Sequence, residues 1–143
     1  MERIDFYILS TANLQAADEF ICRLAEDAYT EGRRVFIRTR DRQQAEQLDE
    51  LLWSFRADSF LPHALAEQTQ DEPILLGEHV PAEISHDFLI NFGPEAPPEW
   101  QRFKRLAEVV ERQETALAHA RQRFRIYRDA GFPPNHHEIE LTP

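Results

Sequence analysis

"IDFYILSTANLQAADEFICRLAEDAYTEGRRVFIRTRDRQQAEQLDELLWSF" runs from Ile4 to Phe55 and passes twice from one kind of pattern to another. "IDFYILS" (4–10) is β-branched and aromatic with almost no polar interruption, as in a strand covered on both faces. "NLQAADEFICRLAEDAYTEG" then switches to helical spacing. Ala17, Phe20, Ile21, Leu24 and Ala28 share one stripe, Asn13 is placed to cap the start, and Gly32 to end the helix. "RVFIRT" (34–39) is a second strand. "DRQQAEQLDELLWSF" (41–55) is a second helix, with Asp41 and Gln44 at capping-box spacing and Ala45, Leu48 and Leu52 as its apolar stripe. Strand, helix, strand, helix at these lengths implies parallel strands joined by right-handed crossovers.

The rest of the chain continues in this manner, less regularly. Residues 59–73 read as a loop with one short strand. "ILLG" (74–77) and "DFLINFG" (87–93) are strands, "PEAPPEW" (94–100) is a loop, and "RLAEVVE" (105–111) is a last strand. From about Glu111 to Ala130 the chain is helical, with Gly131 just past its end. The expectation is a single α/β domain over 1–143, three-layered around a mainly parallel sheet. Strands 4–10, 34–39 and 87–92 should be central, and residues 133–143 a loosely ordered tail.

Composition narrows the function. The formal net charge is −10, so the overall field repels nucleic acid. "MERIDFYILS" carries charges at positions 2, 3 and 5 and does not resemble a signal peptide. No apolar run approaches the ~18 residues of a membrane span. Cys22 is the only cysteine and sits among apolar helix positions, so a buried free thiol in a cytoplasmic protein is expected.

Catalytic patterns are sparse. The first strand–helix turn, "LSTANLQ", has no glycine, and none of the four glycines (32, 77, 93, 131) stands in a phosphate-cradling motif. There is no G-x-S-x-G elbow. "NHHEIE" (135–140) offers two histidines, but adjacent side chains diverge and a frayed tail accounts for them. We therefore expect no catalysis, no cofactor and no metal.

One local charge contrast stands out. "RQRFRIYR" (121–128) holds four arginines and no acid, while the remaining residues sum to −14. On a helical wheel Ala116, Ala120, Phe124 and Tyr127 form an apolar stripe. Leu117, Arg121 and Arg128 lie beside it, with Arg125 just beyond. Two readings fit: cations completing the macrodipole of a helix end, or a cationic rim on an apolar pocket. "ELLWSFRADSFLPHAL" (50–65) is the other unusual stretch. It gathers Trp53, Phe55, Phe60 and Leu61 beside Arg56, Asp58 and His63, either as a binding surface or as closure of the core beneath a loop.

Taken together, "FYIL" (6–9), "GRRVFIRTRDRQQAEQLDELLW" (32–53), "SFLPH" (59–63), "DFLIN" (87–91) and "RFRIYRDAGF" (123–132) resemble the chi subunit family of bacterial DNA polymerase III. The resemblance implies a Rossmann-like topology without catalysis. It implies two main partners: the acidic, Phe-terminated C-terminal tail of single-stranded DNA-binding protein, and the psi subunit of the clamp loader. For some members a repair helicase takes psi's place. By position, the tail site would comprise Val110, Arg121, Phe124 and Arg125, to which the helical wheel adds Arg128. The psi-facing surface would comprise Trp53, Phe60 and Leu61. Where the family pattern has a basic residue one turn before Arg121, this chain has Leu117, and Phe124 stands where tyrosine also occurs. A nucleotide-binding enzyme and a direct single-stranded nucleic-acid binder stand as the alternatives.

Overall fold

In the computed structural model, residues 1–55 and 60–141 are described. They form seven strands and three helices. In chain order these are β1 (Arg3–Leu9), α1 (Leu14–Thr30), β2 (Val35–Arg38), α2 (Arg42–Ser54), β3 (His63–Leu65), β4 (Ile74–Gly77), β5 (Phe88–Asn91), β6 (Arg105–Val110), α3 (Glu114–Asp129) and β7 (Asn135–Ile139). One sheet contains all seven strands in the order β3-β4-β2-β5-β6-β1-β7, and every pairing is parallel.

The helices begin where the caps predict. The Asn13 side chain accepts from the Ala16 N–H at 2.9 Å, and Asp41 accepts from the Gln44 N–H at 2.8 Å. Gln44 in turn accepts from the Arg40 N–H rather than from that of Asp41, so the box closes one residue wider than expected. Gly32 and Gly131 take positive φ, 83° and 97°, a conformation that residues with a Cβ rarely adopt and that lets the chain leave α1 and α3. Cys22 is buried and its thiol is pushed up to about 12, chiefly by burial.

Alternation along the strands sorts the core into two layers. Leu9, Val35, Ile37, Ile74, Leu76, Ile90, Ala107 and Val109 face α1 and α2. Ile4, Phe6, Ile8, Phe36, Leu89, Leu106 and Val110 face α3. On that second side the β5–β6 connection contributes a single 3₁₀ turn, Trp100–Arg102, and packs Trp100 and Phe103 where a crossover helix would otherwise lie. The prolines of 94–98 disfavour a helix there.

Two expectations change. The strand at 4–10 is not at the centre. β5 and β6 insert between β2 and β1, leaving β1 one place from the edge. Within the stretch expected to be a loose tail, Asn135–Ile139 instead form β7, which pairs with β1 from Asp5↔Asn135 to Leu9↔Ile139. Its polar composition concealed it, because an edge strand leaves much of its side-chain surface in water.

Candidate functional site

α3 lies over β1, β6 and β7, and its small Ala120 brings the helix close to the sheet. Tyr127 and Ala120 are buried there, while Phe124 is half-buried with its ring 5.4 Å from that of Phe6. The parallel register sets His136 opposite Phe6 and Glu138 opposite Ile8. All four side chains thus rise on the α3 side of the sheet. Between helix and edge strand a groove of about 290 Å³ remains. Phe6, Ile8 and Ala120 form its floor, Leu117 and Phe124 its helix wall, and His136 and Glu138 its strand wall. Arg121 and Arg112 stand at its rim.

The four arginines of 121–128 separate into distinct environments. Arg121 and Arg125 are exposed and make no ion pair among the described residues. Arg121 lines the groove; Arg125, one turn on, is exposed and does not line it. Arg128 is exposed and pairs with its neighbour Asp129 at 3.1 Å. Val110, only 1% exposed, lines an adjoining cavity of about 380 Å³ with Ala116 and His119. The structure therefore brings Arg121 and Phe124 together at the groove, whereas Val110, Arg125 and Arg128 are not among the residues that line it. Sequence reasoning missed Phe6, Ile8, Arg112, His136 and Glu138 as groove residues. Strand alternation across a correctly placed β7 would have revealed two of them, His136 and Glu138.

Arg123 is not a surface cation. It is 4% exposed, donates through Nε to Glu108 Oε1 at 3.1 Å, and caps the Pro94 carbonyl at 2.6 Å. Glu108 also accepts from the Tyr127 hydroxyl and from Asn91 Nδ2. Asn91 accepts from Arg38 Nη1 at 3.1 Å, and Arg38 reaches Glu95. Arg38, Asn91 and Glu108 are in register on three adjacent strands. Burial raises the Glu108 carboxyl against the pull of Arg123, and burial with the neighbouring Glu108 raises the Tyr127 phenol. A Cβ at position 93 would come within 2.6 Å of the Arg38 guanidinium, so any other residue there would push that group out of its place in the network.

On the opposite face of β7, His137 stacks on Tyr7 and reaches Asp5 at 2.8 Å. Asp5 also accepts from Arg3 at 2.8 Å and Arg105 at 3.4 Å. Burial would raise its carboxyl, but the hydrogen bonds from His137 and Arg3 outweigh it and hold the group below its usual range. The two histidines of "NHHEIE" thus point to opposite faces, as neighbours in a strand must.

The second stretch opens at the end of α2. Trp53 and Phe60 are 57% and 67% exposed with ring centroids 5.4 Å apart, and Trp53 also packs on His63. A groove between α1 and α2, lined by Leu14, Asp18, Glu50 and Leu51, begins at Trp53. Leu61, grouped with these aromatics from sequence, is only 4% exposed and belongs to the core, since the chain turns it inward just before β3. Arg56 and Asp58 lie outside the described residues.

The sequence pattern described as "DNA polymerase III chi subunit, HolC" matches residues 1–135. The chain is 40% identical over 139 residues to a DNA polymerase III subunit chi of Pseudomonas aeruginosa, covering 97% of this chain and 98% of the relative. To the DNA polymerase III subunit chi of Escherichia coli it is 30% identical over 142 residues, covering 94% and 97%. To that of Haemophilus influenzae it is 29% identical over 136 residues, covering 89% and 90%.

Proposed function

The chain belongs to the DNA polymerase III chi subunit family, accessory subunits of the replicative polymerase, and from that premise we propose that it is a non-catalytic, cytoplasmic adaptor. Its groove along α3 holds the acidic, Phe-terminated tail of single-stranded DNA-binding protein. The observation that carries this reading is the pairing of an apolar floor with unpaired cations. Phe6, Ile8 and Phe124 offer a place for a ring, while Arg121 stands unpaired at the rim and Arg125 is exposed one helical turn further on, on a chain of net charge −10. A planar guanidinium can grip a carboxylate at two points. The acidic remainder keeps the protein off bare DNA, so it reaches coated DNA through the coating protein. The Trp53–Phe60 surface is then the face for the psi subunit of the clamp loader, or for a repair helicase in its place. Two exposed stacked aromatics suit a partner's apolar anchor.

Fluorescence anisotropy with a labelled tail peptide tests the first part. The chain should bind the peptide with an affinity that falls as salt rises. Removing the terminal Phe should abolish binding, since charge alone contributes little at a wet surface. Arg121→Ala should weaken binding by about 1–2 kcal/mol, the lower part of the range for hydrogen bonds to charged groups, because the site is open to solvent. Equal binding with and without the Phe would leave the arginines as ordinary helix-end cations.

A further inference from the structure

At the end of the groove nearest the start of α3, the rim cation is Arg112, and a carboxylate already faces it. Arg112 Nη2 donates to Glu138 Oε2 at 2.6 Å. The arginine is held in place independently of that pair. Its Nε donates to the Leu9 carbonyl at 3.2 Å, and its backbone N–H donates to the Thr11 carbonyl at 2.9 Å. Glu138 is anchored only through β7, where it sits opposite Ile8. Its second oxygen lies 3.6 Å from His136 Nε2. Both side chains of the pair are about half exposed, 45% and 58%. Such a pair is worth little net and exchanges easily for another carboxylate. One turn before Arg121 the helix offers Leu117, so at this end of the groove the positive charge comes from Arg112 alone among the lining residues.

We infer that Arg112 is a second cationic anchor for the acidic peptide and that Glu138 is its internal competitor, occupying the guanidinium until a ligand carboxylate replaces it. This rests on the groove being the tail site proposed above. Because β7 tethers Glu138 within reach, the competitor is present at high effective concentration. The affinity of the groove is therefore set partly by the strand wall and not only by α3. Neutralising Glu138 frees Arg112 without touching the helix, the floor or Arg121.

The test is anisotropy with a fluorescein-labelled Asp-rich peptide ending in Phe with a free carboxylate. The proteins are wild type, Arg121→Ala, Glu138→Gln, Arg112→Gln, the Arg112→Gln/Glu138→Gln double variant, and Glu140→Gln. The last removes the same charge from an exposed position just beyond β7 and controls for net charge. Glu138→Gln should bind about threefold tighter or more, and Arg112→Gln about threefold weaker, the size expected of a part-exposed ion contact. The gain from Glu138→Gln should vanish in the Arg112→Gln background, and Glu140→Gln should change affinity less than Glu138→Gln does. If the peptide binds wild type and is weakened in Arg121→Ala while Glu138→Gln matches wild type or Glu140→Gln, the groove reading stands and this inference falls. A gain that persists undiminished without Arg112 also overturns it. If wild type and Arg121→Ala bind alike, the groove reading itself fails and takes the inference with it.

Discussion

Arg121 and Arg123 stand two residues apart in α3 and meet opposite surroundings. Arg121 faces water at the rim of the groove, whereas Arg123 is buried against Glu108 and the Pro94 carbonyl. Removing one partner of a buried ion pair leaves an uncompensated charge, which costs about 3–5 kcal/mol. Arg123→Ala should therefore lower the urea midpoint by an equivalent amount, while the folded fraction keeps its affinity for the tail peptide. Arg121→Ala should do the reverse. A stability change equal in both variants would remove the distinction. Counting charge along the chain could not separate these two residues. Four arginines without an acid suggest one cationic patch, and only helical phase places Arg123 in line with Tyr127, four residues on. Its partner also left a trace. The strands "VFIR" and "FLIN" each end their apolar run on one polar residue, Arg38 and Asn91, and "RLAEVV" interrupts its run with Glu108. The trace becomes legible only when the register aligns them side by side.

β7 is the element that sequence pattern reads worst and on which the groove depends. Period-two apolar alternation is the sign of a strand with one face in the core, and "NHHEI" lacks it because its side chains lie at an edge, half in water. Its hold on β1 includes a side-chain hydrogen bond between His137 and Asp5. The folded Asp5 carboxyl lies below its ordinary range, so the unfolded chain takes up a proton first as the pH falls. The stability supplied by this group is complete above the ordinary carboxylate range of about 4 and is lost as the pH drops through the folded value. Urea unfolding followed from pH 7 to about 3 should show Asp5→Asn less stable at neutral pH and with a shallower acid limb than wild type. Parallel limbs would show that Asp5 is not the group responsible. By contrast α1, α2, β2 and β4 were plain in the sequence, because caps, apolar stripes and uninterrupted strands agree at each.

Over the whole molecule, the two surfaces singled out from sequence lie on different elements. The cationic groove belongs to α3, β1 and β7; the exposed aromatics follow from the end of α2. Trp53 is more than half exposed, so Trp53→Ala should leave the unfolding midpoint nearly unchanged. It should weaken binding to a psi-type partner by ~2 kcal/mol or more, as loss of an interface anchor does, with tail binding intact. The proposed adaptor role requires this independence, because both partners would be held at once. The most direct measurement is a ¹⁵N-edited NMR titration of the whole chain with the Phe-terminated acidic tail peptide, which observes every surface simultaneously. Shifts should saturate at Leu117, Arg121, Phe124 and Arg125 and on β7 at His136 and Glu138, with the residues around Trp53 and Phe60 unmoved. Shifts centred on Trp53 and Phe60, or none at α3, would contradict it.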